Sequence, residues 1–383
     1  MKRDSDAALS GRDLRGIEGL AELVRPDPFS SLAADRIPGA LSDVLGVPDL
    51  TVPVAVTEGE TWTRDGVDGV HLRWNVGFGS DTDAWLLRPA GEASSLPGAL
   101  AMHCHSDVKF YGKEKIADGP GEVAPAVRVL RSKAYGDRAW TNELARSGMS
   151  VLVHDVFGWG SRRASVDTMP QRSERYARLR LAEAAARGDE LGEAAAYEIH
   201  AAPHEDAMAK ILGLLGTSWG GVVVREDLLA IDVLADRPGV AAGGVTVLGM
   251  SGGGARAALA SALSDNVRAV GIMSMMSTFD AMVDGYIHEH TWMMLNPHIG
   301  RVGEWPDIAA ARAPRPLFVG YATADDLFSV AGMRAADARL RERYRDAGAE
   351  SSYRACWVDA PHSFGTEMQD AFLAWHRDVI AAL

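Results

Sequence analysis

One serine in the chain stands where a nucleophile could be activated. Ser251 lies within the stretch LGMSGGG, and the segment from Gly249 to Gly253 fits the pattern G-x-S-x-G. A β-type run, VTVLGM, ends immediately before the serine, and an alanine-rich helical stretch begins immediately after it. A serine on such a strand-to-helix turn adopts strained geometry, needs small neighbours and projects its hydroxyl above the sheet. The pattern therefore predicts a nucleophilic serine.

A glycine-rich turn could instead hold a phosphate group. The phosphate-binding patterns G-x-G-x-x-G and G-x-x-x-x-G-K-[S/T] are both absent from this turn. The nucleophile hypothesis also gives the next residue a role, because the backbone N–H of Gly252 points to where an oxyanion would form. The N-terminus of the helix adds positive potential at the same point. We therefore prefer the nucleophile interpretation.

A serine alcohol needs a base to take its proton, and the base needs a carboxylate to orient it. Where a serine occupies this turn, the acid and then the histidine follow it along the chain, at the ends of later strands. Asp325 follows the predicted strand PLFVGYA, and His362 follows the predicted strand YRACWVDA. The order Ser251, Asp325, His362 predicts a catalytic triad.

Two other carboxylates compete with Asp325 for the acid position. Asp326 is its immediate neighbour, and we expect it to cap the following helix. Asp359 lies so close to His362 in the sequence that a turn suits it better. Asp325 is the first acidic residue after its strand, so it is the preferred acid.

Acyl transfer also needs a second oxyanion donor, expected in the loop after the third strand of such a fold. There the chain has the stretch HCHSDVKFYGKEK, and we assign the backbone N–H of His105 to this role. A metal site is the alternative for this stretch, because His103, His105 and Asp107 form an H-x-H-x-D run. No complementary histidines follow at ligand spacing, so no metal is predicted.

Composition narrows the class of protein. The chain has 383 residues and a net charge of −13, and nothing concentrates Lys and Arg to bind nucleic acid or an anionic membrane. Its two cysteines, Cys104 and Cys356, are too few for a disulfide framework. The first residues lack the apolar core of a signal peptide, and no stretch reaches about 18 apolar residues. We expect a cytoplasmic protein with no nucleic-acid or membrane partner.

Strand and helix signals alternate from about residue 97 onwards. The strand candidates GALAMHC, MSVLVHDVF, VTVLGM and VRAVGIMSM are almost continuously apolar, which indicates burial on both faces. Their alternation with amphipathic helices predicts an α/β fold with a mostly parallel central sheet and helices on both faces. In such a sheet the strand ends that carry the predicted triad meet at one edge.

Three segments lie outside this alternation. We assign residues 1–60 to an N-terminal helical extension and residues 61–383 to the main domain, with insertions at about 165–215 and 277–312. The first insertion is rich in Ala, Glu and Arg, and we expect it to be helical. Insertions at the carboxyl edge of a parallel sheet overhang its ligand site, so a substrate-covering role and simple fold decoration both stay open. The extension and the insertions are also candidate contacts of a homodimer.

With these motifs in place, the chain resembles the α/β-hydrolase superfamily over about residues 60–383. Within it, the match is to the dienelactone-hydrolase-like and acetyl-xylan-esterase-like branch. The resemblance rests on the stretches HCHSDVKFYGKEK, REDLLAIDVLADRPGV, LGMSGGGARAALASAL, APRPLFVGYATADDLF and DAPHSF. Dienelactone hydrolases use a cysteine nucleophile, so Ser251 favours the esterase relatives.

The resemblance also bears on two site residues. In this branch the acid is an Asp flanked by a small residue and followed by an apolar pair, and Asp325 fits because Ala324 precedes it and Leu327-Phe328 follow. Relatives usually carry His-Gly in the oxyanion loop, where this chain has His103-Cys104.

Together these features predict a serine hydrolase that cleaves a small-molecule carboxylic ester through an acyl-enzyme, with no metal or organic cofactor. The resemblance implies acetyl or other short acyl esters, with carbohydrate as one candidate carrier. A peptidase or amidase on the same fold is the second hypothesis, although the extension is too short for the propeller that prolyl-oligopeptidase relatives carry. A non-catalytic binding protein is the third, and the complete triad weighs against it.

Overall fold

The computed structural model describes residues 12–25, 27, 30–49 and 54–382. The predicted extension, residues 1–60, therefore lies partly outside the described residues. Inside it are two helices, α1 (Glu18–Val24) and α2 (Ile37–Leu45), and the first strand begins at Thr57. Helix α2 buries its apolar face, including Leu41 and Leu45, against the main body.

In the described part of the chain, nine strands form one sheet. They are β1 (Thr57–Arg64), β2 (Val67–Trp74), β3 (Thr82–Pro89), β4 (Gly98–Met102), β5 (Ser150–His154), β6 (Val245–Met250), β7 (Val267–Met273), β8 (Leu317–Ala322) and β9 (Tyr353–Val358). Their spatial order is β1-β2-β3-β5-β4-β6-β7-β8-β9. Strands β1, β2, β3 and β5 pair antiparallel, and the pairs from β5 onwards are parallel. The predicted mostly parallel sheet is confirmed.

Ten further helices follow α2 in the part of the chain that the structure describes. They are α3 (Pro125–Ala134), α4 (Trp140–Arg146), α5 (Gln171–Arg187), α6 (Glu193–Leu214), α7 (Trp219–Ala235), α8 (Gly252–Leu263), α9 (Phe279–Met282), α10 (Trp305–Ala309), α11 (Val330–Asp346) and α12 (Thr366–Ala382). Helices α5 and α6 pack against each other and occupy the predicted first insertion, while α9 and α10 fall in the second. Across the described residues no single helix is long and apolar enough to span a membrane. Only α6 and α7 reach that length and apolar composition when they are taken together, and the angle between them is 85°.

The sheet is buried on both faces because its parallel strands alternate between two cores. On β4, Leu100 and Met102 point into the core formed with α2, α7, α8 and α11. Their neighbours Ala99 and Ala101 point into the opposite core, which α4 and α12 cover. Helices thus lie on both faces, as predicted, and the carboxyl ends of the parallel strands stay free to carry a site.

Phe372 of α12 fills the second core, where it is fully buried. Its ring meets that of Phe318 edge-on at 5.5 Å between centroids. We expect Phe372→Ala to lower the free energy of unfolding by about 3–5 kcal/mol, because the surrounding side chains cannot collapse into the cavity that it leaves. Denaturant titration followed by circular dichroism checks this value. Phe372→Leu, the control, should lose clearly less, and a loss of under about 1 kcal/mol for the alanine variant would contradict this packing.

Candidate active site

The predicted serine turn lies between β6 and α8. Ser251 has φ +55° and ψ −124°, a backbone conformation that residues with side chains rarely adopt. Its N–H donates a hydrogen bond to the carbonyl of Met273 on the neighbouring strand, at 2.8 Å. Strain of this kind persists only where the surroundings enforce it, and it is typical of the strand-to-helix turn that presents a nucleophile.

Two glycines allow the turn to fold. A methyl group added to Gly249 would lie 2.5 Å from the backbone of Gly253. One added to Gly253 would lie 2.2 Å from the carbonyl oxygen of Met102, at the end of β4. The first and last glycines of G-x-S-x-G are therefore required by the close approach of backbone to backbone.

The structure pairs the predicted histidine with the predicted acid. His362 Nδ1 lies 2.7 Å from Asp325 Oδ2, and the Asp325 side chain is fully buried. The other oxygen, Oδ1, accepts a hydrogen bond from the backbone N–H of Leu327 at 2.8 Å. Phe328 stacks on the imidazole ring at 6.0 Å between centroids. With Nδ1 held by the carboxylate, Nε2 is the nitrogen left to exchange a proton with another group.

The competing carboxylates lie elsewhere. Asp326 is exposed, and our expectation that it caps the next helix is wrong: the Ser329 hydroxyl caps α11 by accepting from the N–H of Gly332. Asp359 is also exposed and accepts a hydrogen bond from the Thr323 hydroxyl at 3.2 Å.

Ser251 and His362 share the carboxyl edge of the sheet, where they follow β6 and β9. In the described structure no hydrogen bond joins the Ser251 hydroxyl to the imidazole. Catalytic hydrogen bonds are often long in the absence of substrate and shorten when it binds.

Two backbone donors meet beside the serine. A Cβ atom on Gly252 would lie only 3.2 Å from the backbone nitrogen of His105, so the two predicted oxyanion donors are neighbours. Gly252 is the first residue of α8 and has no acceptor within the helix for its N–H. Among the described residues, the N–H of His105 has no acceptor either. Such a pair of unused donors can hold a developing negative charge.

Lys115 organises the loop that carries His105, and the sequence analysis missed it. Its ammonium donates to the carbonyls of Cys104, His105 and Val108, at 2.6, 3.1 and 2.9 Å. The side chain is fully buried, and this burial lowers the pKa of Lys115 to about 8. Because the Cys104 carbonyl points to this ammonium, the N–H of His105, on the opposite side of the same peptide group, points away from Lys115. The sequence signal was a lysine closing the HCHSDVKFYGKEK stretch.

Helix α8 is fixed to the same loop through an arginine. Arg256 donates to both carboxylate oxygens of Asp227 on α7, at 3.0 and 2.6 Å, and to the carbonyl of His103 at 3.0 Å. Asp227 also hydrogen-bonds to Nε2 of His154, at the end of β5. All four side chains are buried. Asp227, in the stretch REDLLAID, thus helps to hold α8 to the loop that carries His103 and His105. The sequence alone did not indicate this role.

Cys104, which stands where relatives usually have glycine, directs its side chain away from the site. Its Sγ lies 2.8 Å from the hydroxyl of Tyr135, inside the second core. His103 is buried beside it, with Nδ1 3.2 Å from the Cys104 carbonyl oxygen. Within the ranges that the structure describes, no group of three or more His, Cys, Asp or Glu residues is placed to hold a metal ion.

A cleft of about 1320 Å³ opens beside these residues. Both insertions line it: Tyr176 and Ile211 come from α5 and α6, and Trp292 comes from the second insertion. His105 lines the same cleft, so the cleft adjoins the predicted oxyanion donor. Tyr176 and Trp292 are the more exposed aromatic residues of its lining, at 52% and 39%.

Glu205 of α6 joins the two insertions to the oxyanion loop. One carboxylate oxygen accepts from the Thr291 hydroxyl at 2.5 Å and from the N–H of Trp292 at 2.9 Å. The other bonds the ammonium of Lys109 and lies 3.5 Å from Nε2 of His105. Burial alone would raise the pKa of Glu205, but His105 and Lys109 outweigh it and hold this pKa well below its usual range. The carboxylate therefore stays charged and keeps the three segments together.

Comparisons with known proteins place this geometry in context. No protein-family profile matches the sequence. A Bacillus subtilis (strain 168) protein provisionally named as the hydrolase YtaP is 22% identical over 272 residues, which cover 71% of this chain and 74% of the relative.

Solved structures share the fold at low identity. A provisionally assigned acetyl xylan esterase from Bacteroides fragilis NCTC 9343 matches with a TM-score of 0.65 and 15% identity, covering 85% of this chain and 74% of that one. A glucuronoyl esterase from Solibacter usitatus matches with a TM-score of 0.60 and 13% identity, covering 92% and 98%. An acetyl xylan esterase from Paenibacillus sp. R4 matches with a TM-score of 0.54 and 16% identity, covering 92% of this chain and 96% of that one. The α/β-hydrolase fold predicted from the sequence is confirmed.

Replacing Lys115 tests its role in the loop. We expect Lys115→Met to leave three inward carbonyls without a donor, so that the amides of residues 103–108 exchange with solvent at least about tenfold faster. Hydrogen exchange followed by mass spectrometry measures this, with peptides of β6 as the internal reference. Lys133→Met, at an exposed position of α3, is the matched control. Unchanged protection of residues 103–108 would show that the lysine does not organise the loop.

Proposed function

We propose that the protein is a serine hydrolase that cleaves carboxylic esters. The observation that carries the proposal is the buried Asp325 carboxylate 2.7 Å from His362, at the sheet edge that also presents Ser251 in strained geometry. Two unused backbone donors, on Gly252 and His105, adjoin the same serine. These are the parts that acyl transfer to a serine requires.

Each residue has one task in the proposed reaction. The hydroxyl oxygen of Ser251 attacks the acyl carbon while Nε2 of His362 takes its proton. Asp325 keeps the proton on Nδ1 and stabilises the imidazolium that forms. The N–H groups of Gly252 and His105 hold the negative oxygen of the tetrahedral intermediate.

Collapse of that intermediate breaks the ester bond. His362 returns its proton to the leaving alcohol, and the acyl group remains on Ser251. A water molecule then gives a proton to His362 and attacks the acyl carbon. The bond from the acyl carbon to the Ser251 oxygen breaks, and His362 returns the proton to that oxygen, which releases the acid and restores the serine. The chain's own residues supply every proton transfer in this sequence.

We propose short acyl esters, acetyl esters in particular, as the substrates, with carbohydrate as a candidate alcohol. Acetyl xylan esterases and a glucuronoyl esterase are among the proteins that share the fold. Met293 supports a small acyl group, because its methyl carbon lies 3.0 Å from where a Cβ on Gly252 would be and narrows the space there. The cleft of about 1320 Å³ supports a bulkier alcohol.

Removal of the serine hydroxyl tests the nucleophile. We expect Ser251→Ala to lose more than about 10⁴-fold in kcat/KM on 4-nitrophenyl acetate, because no other group forms the acyl bond. We also expect the wild type, but not this variant, to be labelled by a fluorophosphonate probe.

The control is Ser351→Ala, at an exposed position far along the chain, which should keep activity and labelling. A labelled, active Ser251→Ala enzyme would overturn the assignment of the nucleophile. Turnover of a matched short-chain amide at a rate similar to the ester would favour the peptidase or amidase hypothesis, and an unlabelled wild type would favour a binding protein.

Adjacent aspartates provide a matched test of the acid. We expect Asp325→Asn to lower kcat by about 10⁴-fold, because the amide orients His362 in the wrong tautomer and cannot stabilise the imidazolium. Asp326→Asn makes the same chemical change one residue away, at an exposed side chain, and should stay within about twofold of the wild type. Steady-state kinetics on 4-nitrophenyl acetate separate the two. Equal effects of both substitutions would reject Asp325 as the acid.

A further inference from the structure

One loop of the second insertion lies directly over the serine turn. Met293 reaches the Gly252 backbone, as described above, and the backbone of Trp292 is held by Glu205. His290 begins this loop and lines the cleft. Thr291, the next residue, is also bonded to Glu205, which ties this part of the loop to α6.

His290 and the proposed base contact the same phenylalanine, and His290 lines the same cleft as His105, the proposed oxyanion donor. The His290 ring stacks on Phe328 at 4.7 Å between centroids and 28° between planes, and Phe328 in turn stacks on His362. Burial, followed by the charges of His362, His105 and His288, lowers the pKa of His290 to about 4. The ring is therefore neutral around pH 7, with one N–H donor and one nitrogen acceptor.

Packing alone does not explain why this position carries a histidine, with two ring nitrogens, and not a phenylalanine. The stack with Phe328 uses only the ring face, which a phenylalanine would provide equally well. Among the described residues, neither nitrogen of His290 has a hydrogen-bond partner, and Nε2 is enclosed by protein. Nδ1 is not among the enclosed atoms and His290 lines the cleft, so Nδ1 is the nitrogen that a molecule in the cleft can reach. Polar groups left without a partner near a site are typical of positions that a ligand completes.

We infer that His290 is a specificity residue, which binds a hydroxyl group of the alcohol next to the scissile ester. This inference rests on the proposed function and names the contact that selects among its substrates. A hydroxyl both donates and accepts, which matches a neutral imidazole, whereas the acyl oxygen is already served by the N–H groups of Gly252 and His105. An ester whose alcohol lacks that neighbouring hydroxyl leaves His290 unpaired and reacts more slowly.

A pair of esters that differ by one hydroxyl tests this contact. The probes are cyclohexyl acetate and cis-2-hydroxycyclohexyl acetate, and the quantity is the ratio of their kcat/KM values. We expect the wild type to favour the hydroxylated ester by about tenfold, the effect of one well-formed hydrogen bond. His290→Phe keeps the stack with Phe328 and should bring the ratio close to one, with kcat/KM on cyclohexyl acetate within about threefold of the wild type.

Two further variants separate binding from structure. His290→Gln keeps a polar group and should restore part of the preference, while His288→Phe makes the same substitution at an exposed residue two positions away and should keep all of it. Thermal unfolding of each variant monitors the fold. A ratio that His290→Phe leaves unchanged, or equal losses on both esters, would overturn the inference.

The same experiments distinguish a failure of the proposed function from a failure of the inference about His290. If the wild type hydrolyses neither ester and is not labelled by a fluorophosphonate, the esterase proposal is wrong. If the wild type is labelled and active but shows no preference for the hydroxylated ester, the esterase proposal stands and the role of His290 is rejected.

Discussion

A buried ion pair between Arg256 and Asp227 connects the helix that follows Ser251 to the loop that follows β4. Both side chains are removed from solvent, and the guanidinium also binds a carbonyl of that loop. Breaking one partner of such a pair leaves an uncompensated charge in the core, so the arrangement is held firmly once formed. Both proposed oxyanion donors adjoin this pair, because Gly252 begins the helix and His105 lies on the loop.

The site residues that sequence reasoning found are those whose position follows from strand ends. A parallel sheet places the ends of β6, β8 and β9 on one edge, so Ser251, Asp325 and His362 could be predicted from their order alone. Only the structure shows which of the adjacent aspartates contacts the histidine. Asp325 turns inward to His362, and Ser329, three residues after Asp326, takes the capping role that we had given to Asp326.

The residues that sequence reasoning missed act through side chains that cross between segments. Lys115 reaches back to three carbonyls of its own loop, and Glu205 bonds residues of two other segments. Neither contact has a fixed spacing in the sequence, because it depends on how the insertions pack. Composition predicted that residues 165–215 are helical, but it carries no information on which carboxylate of these helices faces the loop that carries His105.

The single carboxylate of Glu205 has a consequence for the order in which the molecule assembles. Its partners lie 96 residues earlier and 86 residues later in the chain, so these contacts form only after two long loops have closed. Loop closure of this length carries an entropic cost, as does the pairing of β4 with β6, whose partners Ala99 and Thr246 lie still farther apart in the chain. Because one carboxylate joins α6, Thr291 and Lys109, its loss would release both insertions and the loop that carries His105 together.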